Sequence, residues 1–465
     1  MTRSLAFAAL LAAPSIVSAQ SRLSEHIDSV DAYIGRVMVE RQIPGVAVAV
    51  MRDGEVLLTK GYGFADLEHR VPVTPHTVFQ SGSVGKAFTV MAILMLVDDG
   101  RVQLEAPLRT FFPDAPPAWD SLSVRHLLEH TSGLPGYPDG FDFRKDWSED
   151  ELFAMIRDQP LGFSAGARRG YSNLGFITLG ILVRRVTGMF YGDFLAERIF
   201  RPSGMPSARV ISEADVVPDR ARGYRLVDGV LQNQEWVAPT LNTTADGSLL
   251  LSALDMAAWD RALHQRRLLS ASSYARMWTR LVTTDGMEQP FGFSWQLPDV
   301  GAQRLIEHSG GWQGFTANYS RYPATGLSVA VFLNRRAADP IEVTRGIQRI
   351  FHPELSIAGM PAIPEPDPEM AAFVRSFVAD VAANQMRAAQ FSAPLAEEIL
   401  AGAGPAAERF RSYGVLQRIE LVSRTVTPDG VRRVVYRLSY SARQILLRLD
   451  RDARGVIIDL QVQEN

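Results

Sequence analysis

The chain has 465 residues, of which 46% are hydrophobic and 21% charged, which excludes a disordered chain and sets an expectation of two folded domains. A net charge of −3 with no long basic run excludes an electrostatic partnership with nucleic acid or an acidic membrane. Cysteine is absent, so disulfides, a thiol nucleophile and thiolate metal sites are excluded as well.

Residues 1–19 read as a signal peptide, with Arg3 as the positive start, 5–17 as the apolar run and Ser18-Ala19 as the cleavage site. Export to the periplasm or to the outside is the expectation that follows. Ile27, Val30, Ile34, Val37 and Met38 recur at helical spacing and predict a helix over 23–42, ended by Pro44. Two β-rich runs, 46–51 and 56–63, flank Asp53-Gly54, a strong hairpin signal. A helix opens at Ser83 and closes at Gly100; it is apolar nearly all round and belongs in the core. Residues 101–205 read mostly as helix and loop, and 249–263 as a further helix. Strands follow over 292–297, 303–308, 315–322 and 328–334, then a helix over 341–350. Strands at both ends with helices between predict one α/β domain over 20–359, carrying an all-helical insertion at about 101–205. A proline-rich connector, 360–368, leads to a small α+β domain over 369–465. There, helices over 370–386 and 394–401 precede strands over 416–425, 432–440, 444–449 and 456–463, with a turn at Pro428-Asp429-Gly430. That order is similar to a cystatin-like roll, and no catalytic constellation is visible in it.

Lysine is scarce, standing only at positions 60, 86 and 145 among 48 basic residues. An arginine cannot release its proton in a protein, whereas a desolvated lysine amine can. Lys86 follows Ser83 by three residues and so shares its helical face. A serine at a helix start also sits among unpaired N–H groups at the positive end of the dipole. Ser83 is therefore a candidate nucleophile and Lys86 a candidate acceptor of its proton. The tetrapeptide alone is a weak signal; its partners decide. Tyr171-Ser172-Asn173 precedes an apolar helix and can turn Tyr171 and Asn173 into a cleft. His308-Ser309-Gly310-Gly311 ends a strand-like run, where small residues let a substrate approach and a backbone N–H face an oxyanion.

Together these stretches resemble the serine β-lactamase and penicillin-binding-protein superfamily, in particular its class C β-lactamase-related branch of D-aminopeptidases, D-alanyl-D-alanine carboxypeptidases and β-lactamase-like esterases. Ser83-Val84-Gly85-Lys86 matches its Ser-x-x-Lys motif, Tyr171-Ser172-Asn173 its Tyr-x-Asn motif, and His308-Ser309-Gly310 stands where Lys-Thr-Gly is expected. Ile43-Pro44-Gly45, the stretch 126–135 and 199–202 agree in order, so the likeness covers about 23–350. The resemblance implies an antiparallel sheet flanked by helices, with an all-helical subdomain beside the cleft and no cofactor or metal. It implies Ser83 as acylated nucleophile, Lys86 and Tyr171 sharing acid–base work, and Asn173 positioning substrate and lysine. The amides of Ser83 and Gly311 become the oxyanion hole, and His308 and Ser309 hold the far side of the substrate. Histidine in place of lysine at 308 offers a weaker, pH-dependent charge. It favours an ester, D-amino-acid peptide or amide as substrate over a β-lactam, with true β-lactamase or D-Ala-D-Ala carboxypeptidase activity as the alternative.

Three rival readings stand beside this one. His126, Glu129 and His130 match an inverted zinc-peptidase pattern, although Thr131-Ser132-Gly133 ends that helix at once. Ser81-Gly82-Ser83-Val84-Gly85 falls one residue short of a G-x-S-x-G elbow, with His308 as its base. A sensor that binds a peptide or muropeptide without turnover needs the same cleft.

Overall fold

The computed structural model describes residues 13–210, 214–239, 244–247, 249–300, 303–426 and 430–464. Most of the segment read as a leader, 1–19, lies outside the described residues, as do Pro428 and Asp429 of the expected turn. Asp53 and Gly54 both take left-handed backbone, at φ 53° and 78°, and reverse the chain between β1 (Gly45–Arg52) and β2 (Glu55–Asp66). With β3 (Val71–Pro72), β4 (Ile306–Trp312), β5 (Phe315–Tyr322) and β6 (Leu327–Leu333) they form an antiparallel sheet in the order β4-β5-β6-β1-β2-β3. The two ends of this unit meet at its centre, where Val46 pairs with Leu333 and Arg52 with Leu327. Both central strands are buried on both faces, so they read as continuous apolar runs rather than alternating ones.

Helices cover both faces. On one lies α1 (Ala13–Glu40), held by Asp31, which accepts from Lys60 Nζ at 2.6 Å and from the Tyr62 hydroxyl at 2.8 Å. Tyr33 of α1 donates to the Glu342 carbonyl at 3.0 Å and packs on Gly346 of a late helix, Pro340–Phe351. The large core of the unit joins β1, β5 and β6 to α2 (Lys86–Asp98), α3 (Asn173–Thr187) and α4 (Ala253–His264). The sequence-predicted α+β class and antiparallel sheet are therefore observed.

Four local expectations change. Ser83 lies in a 3-10 turn, Gly82–Gly85, and the α-helix starts only at Lys86. The run 292–297 forms bridges rather than a strand, because Ser294 adopts φ 61° and gives its N–H to the Leu128 carbonyl. The strand predicted over 303–308 is split into a short strand, Gln303–Arg304, and a longer one from Ile306 to Trp312, so His308–Gly311 lie within edge strand β4 rather than at its end. Residues 101–205 hold short helices, Val124–Leu128 and Glu149–Arg157 among them, joined by long turns, with α3 as their one long helix among the described residues.

The described residues divide into two compact units: one runs to Pro298 and includes Arg304–Ile347, and the other comprises Asp299–Gln303 and Gln348 onward. In the second, α5 (Pro368–Ala382), α6 (Ala393–Ala401) and α7 (Ala403–Ser412) precede an antiparallel sheet. Its strands, in chain order and side by side, are β7 (Leu416–Val426), β8 (Arg432–Tyr440), β9 (Gln444–Arg451) and β10 (Ile457–Glu464). Alternation is clean: Tyr436, Leu438, Leu447 and Leu449 pack on Val374, Phe377 and Phe410. The opposite face carries Arg433, Arg437 and Arg448, paired with Asp450 and Glu420. Helix α7 is not among the predicted elements; it starts just after Gly402, a poor helix former, which stands at its N-cap. Among the described residues no single helix is long and apolar enough to cross a membrane.

The 3-10 turn that holds Ser83 rests directly on β4, and glycine makes that approach possible. A Cβ built on Gly310 would meet the Ser81 carbonyl oxygen at 2.1 Å and the Ser83 nitrogen at 2.8 Å, both of them backbone atoms that cannot swing aside. Gly310→Ala should therefore lower stability by about 1–3 kcal/mol and move Ser83 off its strand. Thermal unfolding together with Ser83 labelling by a fluorophosphonate checks this; wild-type values for both would show that the contact is looser than described.

Candidate active site

Lys86 is fully buried, at 0% exposure, and a buried ammonium is tolerated only where hydrogen bonds replace its water. Three stretches distant in sequence supply them. Lys86 Nζ lies 3.1 Å from Ser83 Oγ and 2.9 Å from Asn173 Oδ1, and it also bonds the Asp246 carbonyl. The last two acceptors are carbonyl oxygens, which cannot donate, so they permanently claim two of the amine's N–H groups. The third tetrahedral position faces Ser83. A protonated Lys86 donates there, and a neutral Lys86 points its lone pair at the Ser83 hydroxyl, so the proton can pass without the amine turning.

Asn173 begins α3, and its neighbour Ser172 fixes the turn. The Ser172 hydroxyl caps the helix by accepting from Gly175 N–H at 2.8 Å and donates to the Pro135 carbonyl at 2.7 Å. Tyr171 lies on the other side of the turn, 39% exposed, with its ring centroid 5.0 Å from Lys86 Nζ. Among the described residues its hydroxyl makes no hydrogen bond, which leaves it open to a substrate group. Asp246 carries the Lys86 acceptor and is itself locked, its carboxylate accepting from the Tyr137 hydroxyl at 2.7 Å and from Thr244 Oγ1 at 2.6 Å.

A directed chain of hydrogen bonds links the two outer motifs. The Ser172 N–H reaches His130 Nδ1 at 3.1 Å, His130 Nε2 lies 3.2 Å from Ser294 Oγ, Ser294 Oγ lies 3.0 Å from His308 Nε2, and His308 Nδ1 lies 2.6 Å from the Ser309 carbonyl. An amide can only donate and a carbonyl can only accept, so each end fixes one ring nitrogen, and burial, which disfavours a charged His308, leaves Ser294 donating to its Nε2. His130 carries its proton on Nε2, His308 on Nδ1, and both rings are neutral. Burial is the main cause that holds His308 down at about 3, helped by the Lys86 charge, and it holds His130 well below the ordinary imidazole range.

This corrects the role expected of His308. It lines the floor of the cleft at 4% exposure, but both ring nitrogens are occupied, so it presents no pH-dependent charge to a substrate and cannot serve Ser83 as a base. The elbow reading fails on the same ground. The zinc grouping also comes apart: its helix ends at Leu128, His126 Nδ1 accepts from Ser123 N–H, Glu129 pairs with Arg125, and His130 turns away at φ 59°.

The cleft, about 310 Å³, is lined by Ser83, Tyr171, His308, Ser309, Gly310 and Gly311, and also by Ser294, Gln296 and Arg169. Asn173 reaches the same place through Lys86, so the eight residues singled out in the sequence converge. Sequence reasoning missed Arg169, Asp246 and Ser294. The Arg168-Arg169 pair just before Tyr171 was a usable signal for the first; nothing local marks the other two.

Such a site, on an antiparallel sheet beside short helices, defines a class of serine acyl-transfer fold. The chain belongs to the beta-lactamase family, whose model matches residues 30–350. A penicillin-binding protein of Bacillus subtilis is 28% identical over 304 residues, 61% of this chain and 66% of its own length. The D-aminopeptidase of Gluconobacter oxydans is 31% identical over 306 residues, 63% of this chain and 56% of its own. This chain thus spans less than two thirds of either relative. Among solved structures, an octameric penicillin-binding protein homologue from Pyrococcus abyssi is similar in fold, with a TM-score of 0.62 and 22% identity, covering 94% of this chain and 98% of that one.

The neutral histidines have a measurable consequence. Both protonate in the unfolded chain near the ordinary value of about 6.5 but resist protonation when folded. The stability they contribute is present above that pH and is lost as the pH falls toward about 3 for His308, by up to about 1.4 kcal/mol per pH unit for each ring. Urea unfolding at about pH 7 and about pH 5 should show a drop that is smaller in His308→Asn than in wild type. An equal drop in both would mean that His308 is already charged in the fold.

Proposed function

We propose that this protein is an exported serine hydrolase that cleaves esters, or peptide or amide bonds of D-amino acids, through an acyl-enzyme on Ser83. The observation that carries the proposal is the 3.1 Å contact of Lys86 Nζ with Ser83 Oγ, made by an amine whose other N–H groups are claimed by carbonyl oxygens. Ser83 Oγ attacks the acyl carbon and passes its proton to Lys86 Nζ. The oxyanion that forms takes hydrogen bonds from the Ser83 and Gly311 amides. As the bond to the leaving group breaks, the Tyr171 hydroxyl donates a proton to it and is reprotonated from Lys86. Water then attacks the Ser83 ester, the same groups carry its proton back to Ser83 Oγ, and the acid is released. Kinship with a D-aminopeptidase supports the substrate class. The neutral, fully bonded His308 argues against efficient β-lactam turnover, because nothing at that position supplies the lysine charge.

Ser83→Ala should abolish fluorophosphonate labelling and hydrolysis across p-nitrophenyl esters, D-amino-acid anilides and D-Ala-D-Ala peptides. Lys86→Ala should lower kcat/KM on the order of 10³-fold or more. Lys86→Arg should fail equally, since it keeps the charge but cannot accept the proton. Activity surviving in Lys86→Arg would sink the proton-transfer role, and inertness of wild type toward every substrate and label would favour a binding sensor. Nitrocefin turnover at a β-lactamase rate would overturn the substrate assignment alone.

A further inference from the structure

Arg169 stands two residues before Tyr171 and lines the cleft beside Ser83. Its guanidinium carbon lies 3.7 Å from the Phe291 ring centroid and 5.8 Å from that of Tyr171, so one aromatic face supports it and holds its plane. Among the described residues it has no carboxylate partner, and its buried Nε has no hydrogen-bond acceptor. The neighbour that favours its charge is the Tyr171 phenol, while burial opposes it.

The rest of the cleft supplies no counter-charge. None of its lining residues is acidic. Lys86 is a second cation whenever it holds the proton, and Arg169 and a protonated Lys86 both act to keep His130 and His308 neutral. Asp246, the carboxylate behind Lys86, is buried and spends its oxygens on Tyr137 and Thr244. The outer N–H groups of Arg169 make no hydrogen bond to a protein group among the described residues, so they are open to a ligand in the cleft. Its planar fork matches a carboxylate, and it would repel an ammonium.

We propose that Arg169 is the specificity-determining anchor of this cleft, and that its ligands carry a carboxylate bound by the guanidinium on the Tyr171–Phe291 wall rather than on strand β4. The inference rests on the proposed function only in taking this cleft as the binding site for the acyl donor. Within the ester, peptide and amide substrates proposed above, it ranks carboxylate-bearing molecules, such as D-amino-acid peptides with a free C-terminus, ahead of those that present only a free ammonium.

The test is binding, so it does not depend on which residue is acylated. In a Ser83→Ala background, N-acetyl-D-alanine and its neutral amide are titrated by calorimetry, at low and at raised salt. The carboxylate should bind about tenfold or more tightly than the amide, and the ratio should shrink with salt. Adding Arg169→Gln should bring the ratio near one, whereas Arg169→Lys should restore part of it. A purely structural role would weaken both ligands together and leave their ratio intact. Equal affinities before Arg169 is changed, no measurable binding of either ligand, or a preference that survives Arg169→Gln each overturns the assignment. Fluorophosphonate labelling of Ser83 remains the separate test of the acyl-enzyme.

Discussion

Everything at this site follows from one buried amine. Lys86 has no contact with solvent, and its amine is held by oxygens from three stretches of chain: Ser83, Asn173 and Asp246. Each acceptor comes from a different part of the fold, so the site exists only when the α2 turn, the start of α3 and the segment near residue 246 are all in place. Removing a single acceptor leaves a buried charge short of a partner, which couples the integrity of the site to that of the core around it.

The chain through His130, Ser294 and His308 does the complementary job across the cleft. Its two ends are backbone groups of fixed polarity, which fix one nitrogen of each ring, and burial keeps both rings neutral. Ser294 accepts the strain of a left-handed backbone to stand between the two rings. The histidine that replaces the family's lysine is therefore a fixed part of the wall. The half-buried positive charge of the cleft is instead that of Arg169, 5.8 Å from the centroid of the Tyr171 ring.

What the sequence disclosed divides along chain distance. Ser83 and Lys86 are three residues apart on one turn, and Tyr171 and Asn173 two apart on another, so local spacing exposes them. The hairpin at Asp53-Gly54 and the strands of the second unit are legible for the same reason: turn chemistry and alternation are local. The protonation of His308 is not local. It is set by Ser294, 14 residues earlier, and through it by His130, which is 164 residues from Ser294. Read alone, His308 is an ordinary imidazole with an ordinary titration; only the folded chain makes it neutral. Strand β4 was misplaced because its two glycines look like a strand end, whereas here Gly310 admits the Ser83 turn against the middle of an edge strand.

The span between the Tyr171-Ser172-Asn173 turn and β4 is bridged by two imidazole rings and one hydroxyl. Rings of fixed size, joined by hydrogen bonds of fixed polarity, make a spacer with a set length. If the two walls drift apart, the chain opens at one of the three bonds that join Ser172, His130, Ser294 and His308, and buried polar groups are left unpaired. The floor of the cleft is therefore braced by hydrogen bonds between neutral groups, which salt does not screen as it would an ion pair.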